Sequence, residues 1–340
     1  MTHGLLRAST CAALLSISQA AVDPRREVHD YLTKHSFKAE ELASFDAGQV
    51  VARATVLKSE EILVVSAIKI LVSRDRVLDY YGRVISYVDG TVTLAFGRFS
   101  TPPALDDVRD LTFDPGDVSD LRACKPGKCD VKLGGAGIQT LKKSVDWGAP
   151  DASDRVNAFV RKAAVDYVTA YQSKGDAALV TFNDRSQPVS LQQEWRSIIS
   201  NSAHFHQYAP ELKAYFEQYP RSWLAGGRDI FYWVKENYGY KPVVSIVHGV
   251  VYQPPSRSDR AFVVQKQIYA SHYFEGSLAI ATLLSATENG APATYLIYAN
   301  RSRGDVLRGS FGGLRRNVAQ SQARKAAEET LGSTKRQLEQ

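Results

Sequence analysis

Tyr269, His272 and Glu275 fall within seven residues, in "QIYASHYFEG". A histidine near a carboxylate can act as a general base. These three are therefore the candidate catalytic residues. His248, in "SIVHGVVY", lies on a neighbouring strand and joins them as a candidate. No nucleophile stands in a known relation to the cluster, and a lone histidine in a strand is ordinarily a hydrogen-bonded core residue. The pattern thus reaches a class of site and leaves open whether the protein is an enzyme.

Other motifs narrow the choice by their absence. The sequence contains no H-E-x-x-H, no G-x-S-x-G and no glycine-rich phosphate loop. His204 and His206 in "HFH" have no further ligand at a recognisable spacing, so no metal site and no cofactor are expected. In "NRSRGDVLRG", Arg301, Arg303, Asp305 and Arg308 crowd the end of a strand. Arginine forks suit carboxylates and phosphates, which predicts contact with a ligand head group; the alternative is an ion-pair network around Asp305. "IFYWVKENYGY" supplies Phe231, Tyr232, Trp233, Tyr238 and Tyr240, aromatics that build core or line an apolar pocket. The candidate ligand-binding set is therefore Tyr232, Trp233, His248, Tyr269, His272, Arg301 and Arg303.

The elements that position these residues are legible by period. "EVHDYLTKHSFKAEELASFDAG" reads as one or two short helices, and "EILVVSAIKILV" as a strand. "SRDRVLDYYGRVISYV" repeats Val77, Tyr81, Val84, Ile85 and Val88 at helical spacing behind a Ser73 cap. "TVTLAFGRFS" is a second strand, and the stretch from Thr101 to Cys124 reads as an ordered loop. A helical block is expected over about 149–240, its aromatic end "GGRDIFYWVKENYGYKP" included. From Val243 the chain becomes an antiparallel meander of about four strands, and it closes with a long helix whose thin apolar face is Leu314, Val318, Ala327, Leu331 and Leu338. In the meander, Lys266 is expected on the face of Val264 and Ile268, Gln267 and Tyr269 on the other. Glu275 is expected to share a face with Ser277, and Gly276 to mark a bulge or bend.

The amino end, "MTHGLLRASTCAALLSISQAAV", orders a positive charge, a short apolar run and small residues as a secretory signal does, with cleavage expected near Ala20. The run is too short for a membrane span. The cleaved chain keeps Cys124 and Cys129, in "CKPGKC". An even count in an exported chain, with a Pro-Gly turn between, predicts a disulfide at the neck of a hairpin whose return strand is "CDVKL". A periplasmic or secreted location follows. Hydrophobic residues at 44% and charged residues at 23% describe an ordinary globular chain. The formal charge of +6 is a mild bias that fits an anionic membrane surface, and no lysine–arginine block marks a nucleic-acid partner.

The order of strand, helix, strands, meander and long terminal helix resembles the helix-grip fold of START-like lipid-transfer domains. "AIKILVSRDRVLDYYGRVISY" looks like the opening of such a domain, and "TYLIYANRSRGDVLRGSFGGLRR" like the strand that leads into the gripping helix. The chain also looks like a group of exported bacterial proteins, without an assigned activity, that share "CKPGKCDVKL", "QIYASHYF" and "NRSRGD". The resemblance implies an α+β fold over 21–340: a curved antiparallel sheet gripping a long C-terminal helix, with a helical insertion at about 149–240. It implies a hydrophobic small molecule or lipid in a cavity between sheet and helix. The alternative is a cyclase or hydrolase acting on an apolar substrate on the same scaffold.

Overall fold

The computed structural model describes residues 23–58, 60–84, 92–307 and 312–340. The expected signal segment, Ile85, Val88 and Arg308 lie outside them. Helices α1 (Pro24–Lys34) and α2 (Ala39–Asp46) precede strands β1 (Val51–Lys58) and β2 (Glu61–Ile70). Helix α3 (Arg74–Val84) and strand β3 (Thr93–Arg98) follow. The chain then leaves the sheet for α4 (Pro115–Ala123), α5 (Gly135–Ser144), α6 (Ala152–Lys174), the ribbon β4 (Thr181–Phe182) and β5 (Val189–Ser190), α7 (Leu191–Ser200), α8 (Ala203–Tyr208) and α9 (Pro210–Gln218). It returns in β6 (Gly227–Glu236), β7 (Val243–Tyr252), β8 (Arg260–Ala270), β9 (Phe274–Glu288) and β10 (Ala291–Gly304), and ends in α10 (Gly312–Glu339).

Eight strands form one sheet in the order β1-β2-β10-β9-β8-β7-β6-β3, every neighbouring pair antiparallel. The period of two along each strand sorts side chains to two faces. On the first face, Ile68, Ile70, Ala261, Leu283 and Leu296 pack with Val77 of α3 and with Leu331 and Leu338 of α10. Ala52, Ala54, Ile62 and Val64 meet Ala327 of the same helix. The Tyr80 hydroxyl, on α3, donates to Gln337 Oε1 on α10. Of the terminal helix's expected apolar face, Ala327, Leu331 and Leu338 are buried, whereas Val318 is exposed; the Leu314 side chain lies outside the described residues.

The second face is covered as well. Helices α1 and α2 pack Val28, Leu32 and Phe45 against Val65, Leu284, Tyr295 and Ile297. The helical layer of 99–226 packs on Phe231, Trp233, Ile246, Phe262, Val264, Ile268, Leu278 and Ile280. The sheet is thus the middle of three layers, and the helical layer lies opposite α10.

Several local expectations are corrected. The aromatic run at 227–236 is strand β6, not helix: Ile230, Tyr232 and Val234 go to the first face while Phe231 and Trp233 go to the second, a period of two hidden by bulky residues on both faces. The helical block therefore ends near Gln218. The acidic stretch after Thr101 is not all loop, since α4 starts behind Asp114 with Pro115 at its first position, where a missing N–H costs nothing. "CDVKL" is not a strand. The turn at Pro126-Gly127 is tight, with Lys125 and Lys128 exchanging backbone hydrogen bonds. Beyond it, however, the backbone N–H groups of Cys129 and Lys132 donate to the carbonyls of Asp184 and Ser271, which leaves no continuous ladder. Cys124 and Cys129 are joined by a disulfide.

Candidate functional site

A cleft of about 250 Å³ opens on the first face of the sheet. Its floor is built from adjacent strands: Ser245 from β7, Gln265 and Gln267 from β8, Ser277 and Ala279 from β9, Asn300 from β10. Its walls carry rings, Phe96 from β3, Tyr232 from β6, Tyr298 from β10, and Tyr238 just beyond β6. Phe96 and Tyr232 lie ring to ring at 5.5 Å. Glu236 accepts a hydrogen bond from the Tyr238 hydroxyl at 2.7 Å and is the one ionisable carboxylate among the described lining residues.

Hydrogen bonds order the floor. Gln267 Nε2 donates to Ser245 Oγ at 2.9 Å, and Asn300 Nδ2 to Ser277 Oγ at 3.1 Å. Ser302 Oγ donates to Asn300 Oδ1 at 2.5 Å. The carbonyl Oε1 of Gln267 is buried and finds no hydrogen-bond donor among the described residues; beside Tyr298 across β2 and β10, the hydroxyl of Ser66 likewise has no partner among them. Buried polar groups ordinarily find a partner, so the floor presents unfilled hydrogen-bonding capacity. Burial pushes the Tyr298 phenol up to about 12, which keeps it a neutral hydroxyl at physiological pH.

Of the sequence candidates, Tyr232 lines this cleft and the others face the helical layer. A register shift between Ile246 and Val247 leaves Ile268 as the extra residue of β8 and turns Tyr269 to the side of Lys266, correcting the expected alternation. The expected bulge at Gly276 is present, at φ 140°, opposite Arg303 and Gly304. It carries Glu275 to the helical-layer side, away from Ser277. Tyr269, His272 and Glu275 do come together, around the segment that follows Cys129. The Tyr269 hydroxyl donates to the Lys132 carbonyl at 3.0 Å, and His272 Nδ1 pairs with the Asp130 carbonyl at 3.0 Å. His272 Nε2 meets Asp117 at 3.2 Å, and Glu275 lies 4.0 Å from Lys132 Nζ. The Lys132 ammonium also meets Asp305 at 2.9 Å and Asp184 at 3.4 Å. The Tyr269 hydroxyl and His272 Nδ1 are thus spent on anchoring 130–132 to the β8–β9 junction, and His272 Nε2 on Asp117 of α4.

His248 and Lys266 form a second polar island under the helices. His248 is fully buried, stacked on Phe231 at 4.5 Å, with Nε2 2.9 Å from Asp229 and Nδ1 3.3 Å from the Tyr171 hydroxyl. Burial holds its imidazole below the ordinary range, against the pull of Asp229. Lys266, also fully buried, meets Asp176 at 2.5 Å with its ammonium over the rings of Trp195, Tyr171 and Phe216. Burial lowers its pKa, and Asp176 works against that.

The arginines answer to carboxylates. Arg303 reaches Glu60, Glu61 and Glu194, and Arg301 reaches Glu61. Both lie on the helical-layer face, opposite the cleft, and pair with glutamates; Asp305, the expected partner, meets Lys132 and Arg185 instead. Trp233 faces the same layer and donates its indole N–H to the Asp107 carbonyl at 2.9 Å. Among the described residues no group of three or more His, Cys, Asp or Glu is placed to hold a metal ion; the His204 and His206 side chains lie outside them. No described helix is long and apolar enough to cross a membrane.

No family model matches the chain, and neither does any curated protein.

Proposed function

We propose that the protein is an exported, helix-grip ligand-binding protein. Its ligand is a small molecule that combines hydroxyl or amide groups with a flat apolar face, held in the cleft on the first face of the sheet. The topology supports the START-like part of this reading. Strand β2 is followed by a helix, then by the far-edge strand β3, and the later strands fill the sheet back towards β2 before a long helix packs on β1 and β2. On this reading residues 99–226 are an insertion between the adjacent strands β3 and β6, placed on the outer face, away from the cavity. The disulfide between Cys124 and Cys129 supports an oxidising compartment, outside the cytoplasm.

The observation that carries the ligand class is the cleft floor: two glutamines, two serines and an asparagine, with the Gln267 carbonyl buried and unpartnered. A purely hydrocarbon ligand would leave the Gln267 carbonyl without a partner, at about 1–3 kcal/mol for a polar atom left buried and unpaired. A ligand that donates to Gln267 Oε1 and lies against the rings of Phe96 and Tyr232 satisfies both. This narrows the lipid-like ligand implied by the resemblance to one with a substantial polar portion.

The test is thermal-shift and calorimetric titration of the full chain against two panels, one of sugars, polyols and nucleosides and one of fatty acids and lysolipids. Binding from the first panel, lost in Gln267→Leu while the variant keeps its circular dichroism, is the expected result. Tight binding of a simple fatty acid that is indifferent to Gln267→Leu sinks the assignment.

A further inference from the structure

Trp223 is 85% exposed, the extreme among the large apolar side chains of the described surface. The two tryptophans of the core, Trp195 and Trp233, are essentially inaccessible, and Trp147 is half-buried with Lys142 over its ring. The turn that displays Trp223 is pinned. The Arg221 N–H donates to the Gln218 carbonyl at 2.8 Å, the Gly227 N–H to the Leu224 carbonyl at 2.8 Å, and the Ser222 hydroxyl to the Tyr215 carbonyl at 3.2 Å. Leu224 is buried beneath it. At Gly226, φ 79°, a Cβ would lie 2.1 Å from the Gln253 carbonyl oxygen, so the backbone is seated directly on the β7–β8 turn. A fixed turn therefore holds an indole out in water although burying it would be favourable.

The surroundings of the ring define its partner. Arg221 and Arg228 flank it in sequence, both exposed, and neither guanidinium makes an ion pair or side-chain hydrogen bond among the described residues. Pro255 and Arg257 are exposed on the adjoining β7–β8 turn. One amphipathic ring on a turn that also carries two exposed arginines, with no other exposed large apolar side chain between residues 221 and 228, lacks the contiguous apolar patch that a protein interface centres on. It suits a lipid headgroup layer, where tryptophan sits with its ring half-immersed and arginine meets phosphate. We propose that the Trp223 turn is an anchor that docks this end of the sheet on an anionic phospholipid surface.

The measurement is co-sedimentation and tryptophan fluorescence of the full chain with vesicles of phosphatidylcholine, with and without phosphatidylglycerol. Anionic vesicles are expected to bind the protein, shift its emission to the blue and shield it from iodide. Trp223→Ala abolishes the shift and the shielding while the melting temperature stays put. Arg221→Gln and Arg228→Gln each weaken binding roughly fivefold, and added salt weakens it further. Binding that survives unchanged in Trp223→Ala, equal binding to both kinds of vesicle, or binding to neither overturns the proposal. None of these readouts depends on the cleft.

Discussion

His248 and Lys266 face each other directly across β7 and β8, both fully buried, and each reaches its own carboxylate, Asp229 and Asp176. The two carboxylates are partly exposed. This asymmetry, basic groups inside and carboxylates at the rim, makes the two halves of each pair unequal.

For the lysine pair, Asp176→Ala leaves a buried ammonium with only aromatic rings around it. The expected loss is about 3–5 kcal/mol. Lys266→Met leaves a carboxylate that already touches water, and should cost far less. Urea denaturation of both variants checks the order; equal losses would show that Asp176 matters for something other than its charge partner.

For the histidine, burial lowers the folded pKa below the ordinary 6.5, so the unfolded chain binds the extra proton first on acidification. Its contribution to stability is complete above pH 6.5 and falls as the pH drops towards the folded value, by at most about 1.4 kcal/mol per pH unit. His248→Phe should remove that slope. Denaturation midpoints between pH 5 and 7.5, in wild type and variant, measure it, and parallel pH profiles would contradict the assignment.

Arg303 joins the carboxylates of Glu60, Glu61 and Glu194, and Glu61 is 1% exposed. Arg303→Met leaves Glu61 to Arg301 alone. A loss of about 3 kcal/mol is expected. A loss below 1 kcal/mol in equilibrium unfolding would mean that Arg301 alone satisfies the site.

The disulfide closes a six-residue loop, Cys124 to Cys129, for which chain entropy predicts about 2 kcal/mol. The double Cys→Ser variant should fold, with a modestly lower melting temperature. Alkylation of protein taken from the native compartment should find no free thiol at either position before reduction.

How much of this was legible depends on the range of the signal. Strands β2 and β7 to β10 announce themselves through β-branched residues and alternation, and α3, α6 and α10 through helical spacing. Strand β1 has little such signal, since its buried positions include the small residues Ala52 and Ala54 and it becomes a strand by pairing with β2. The bulges at Ile268 and Glu275 are the sharper lesson. One extra residue in each moved Tyr269 and Glu275 to the other face; Gly276 signals the second bulge, whereas nothing in the side chains around Ile268 foretells the first. The cleft was missed because its floor is assembled from four strands. The available clue was the pair of glutamines at 265 and 267, amides sharing one side of an otherwise oily strand.

The neighbours β3 and β6 are separated in sequence by the whole of 99–226. The other pairs from β6 to β10 are local hairpins. Closing a loop that long costs chain entropy that grows with the logarithm of its length, and long-range pairings form slowly. The sheet should therefore grow outward from the β7–β10 hairpins, with β3 docking only after the helical layer has compacted and brought its ends together. Pulse-labelling hydrogen exchange during refolding should find the amide of Phe99, which donates to the Phe231 carbonyl, and by alternation that of Gly97, among the last to gain protection. The far edge of the sheet, which carries one wall of the cleft, would then be completed last.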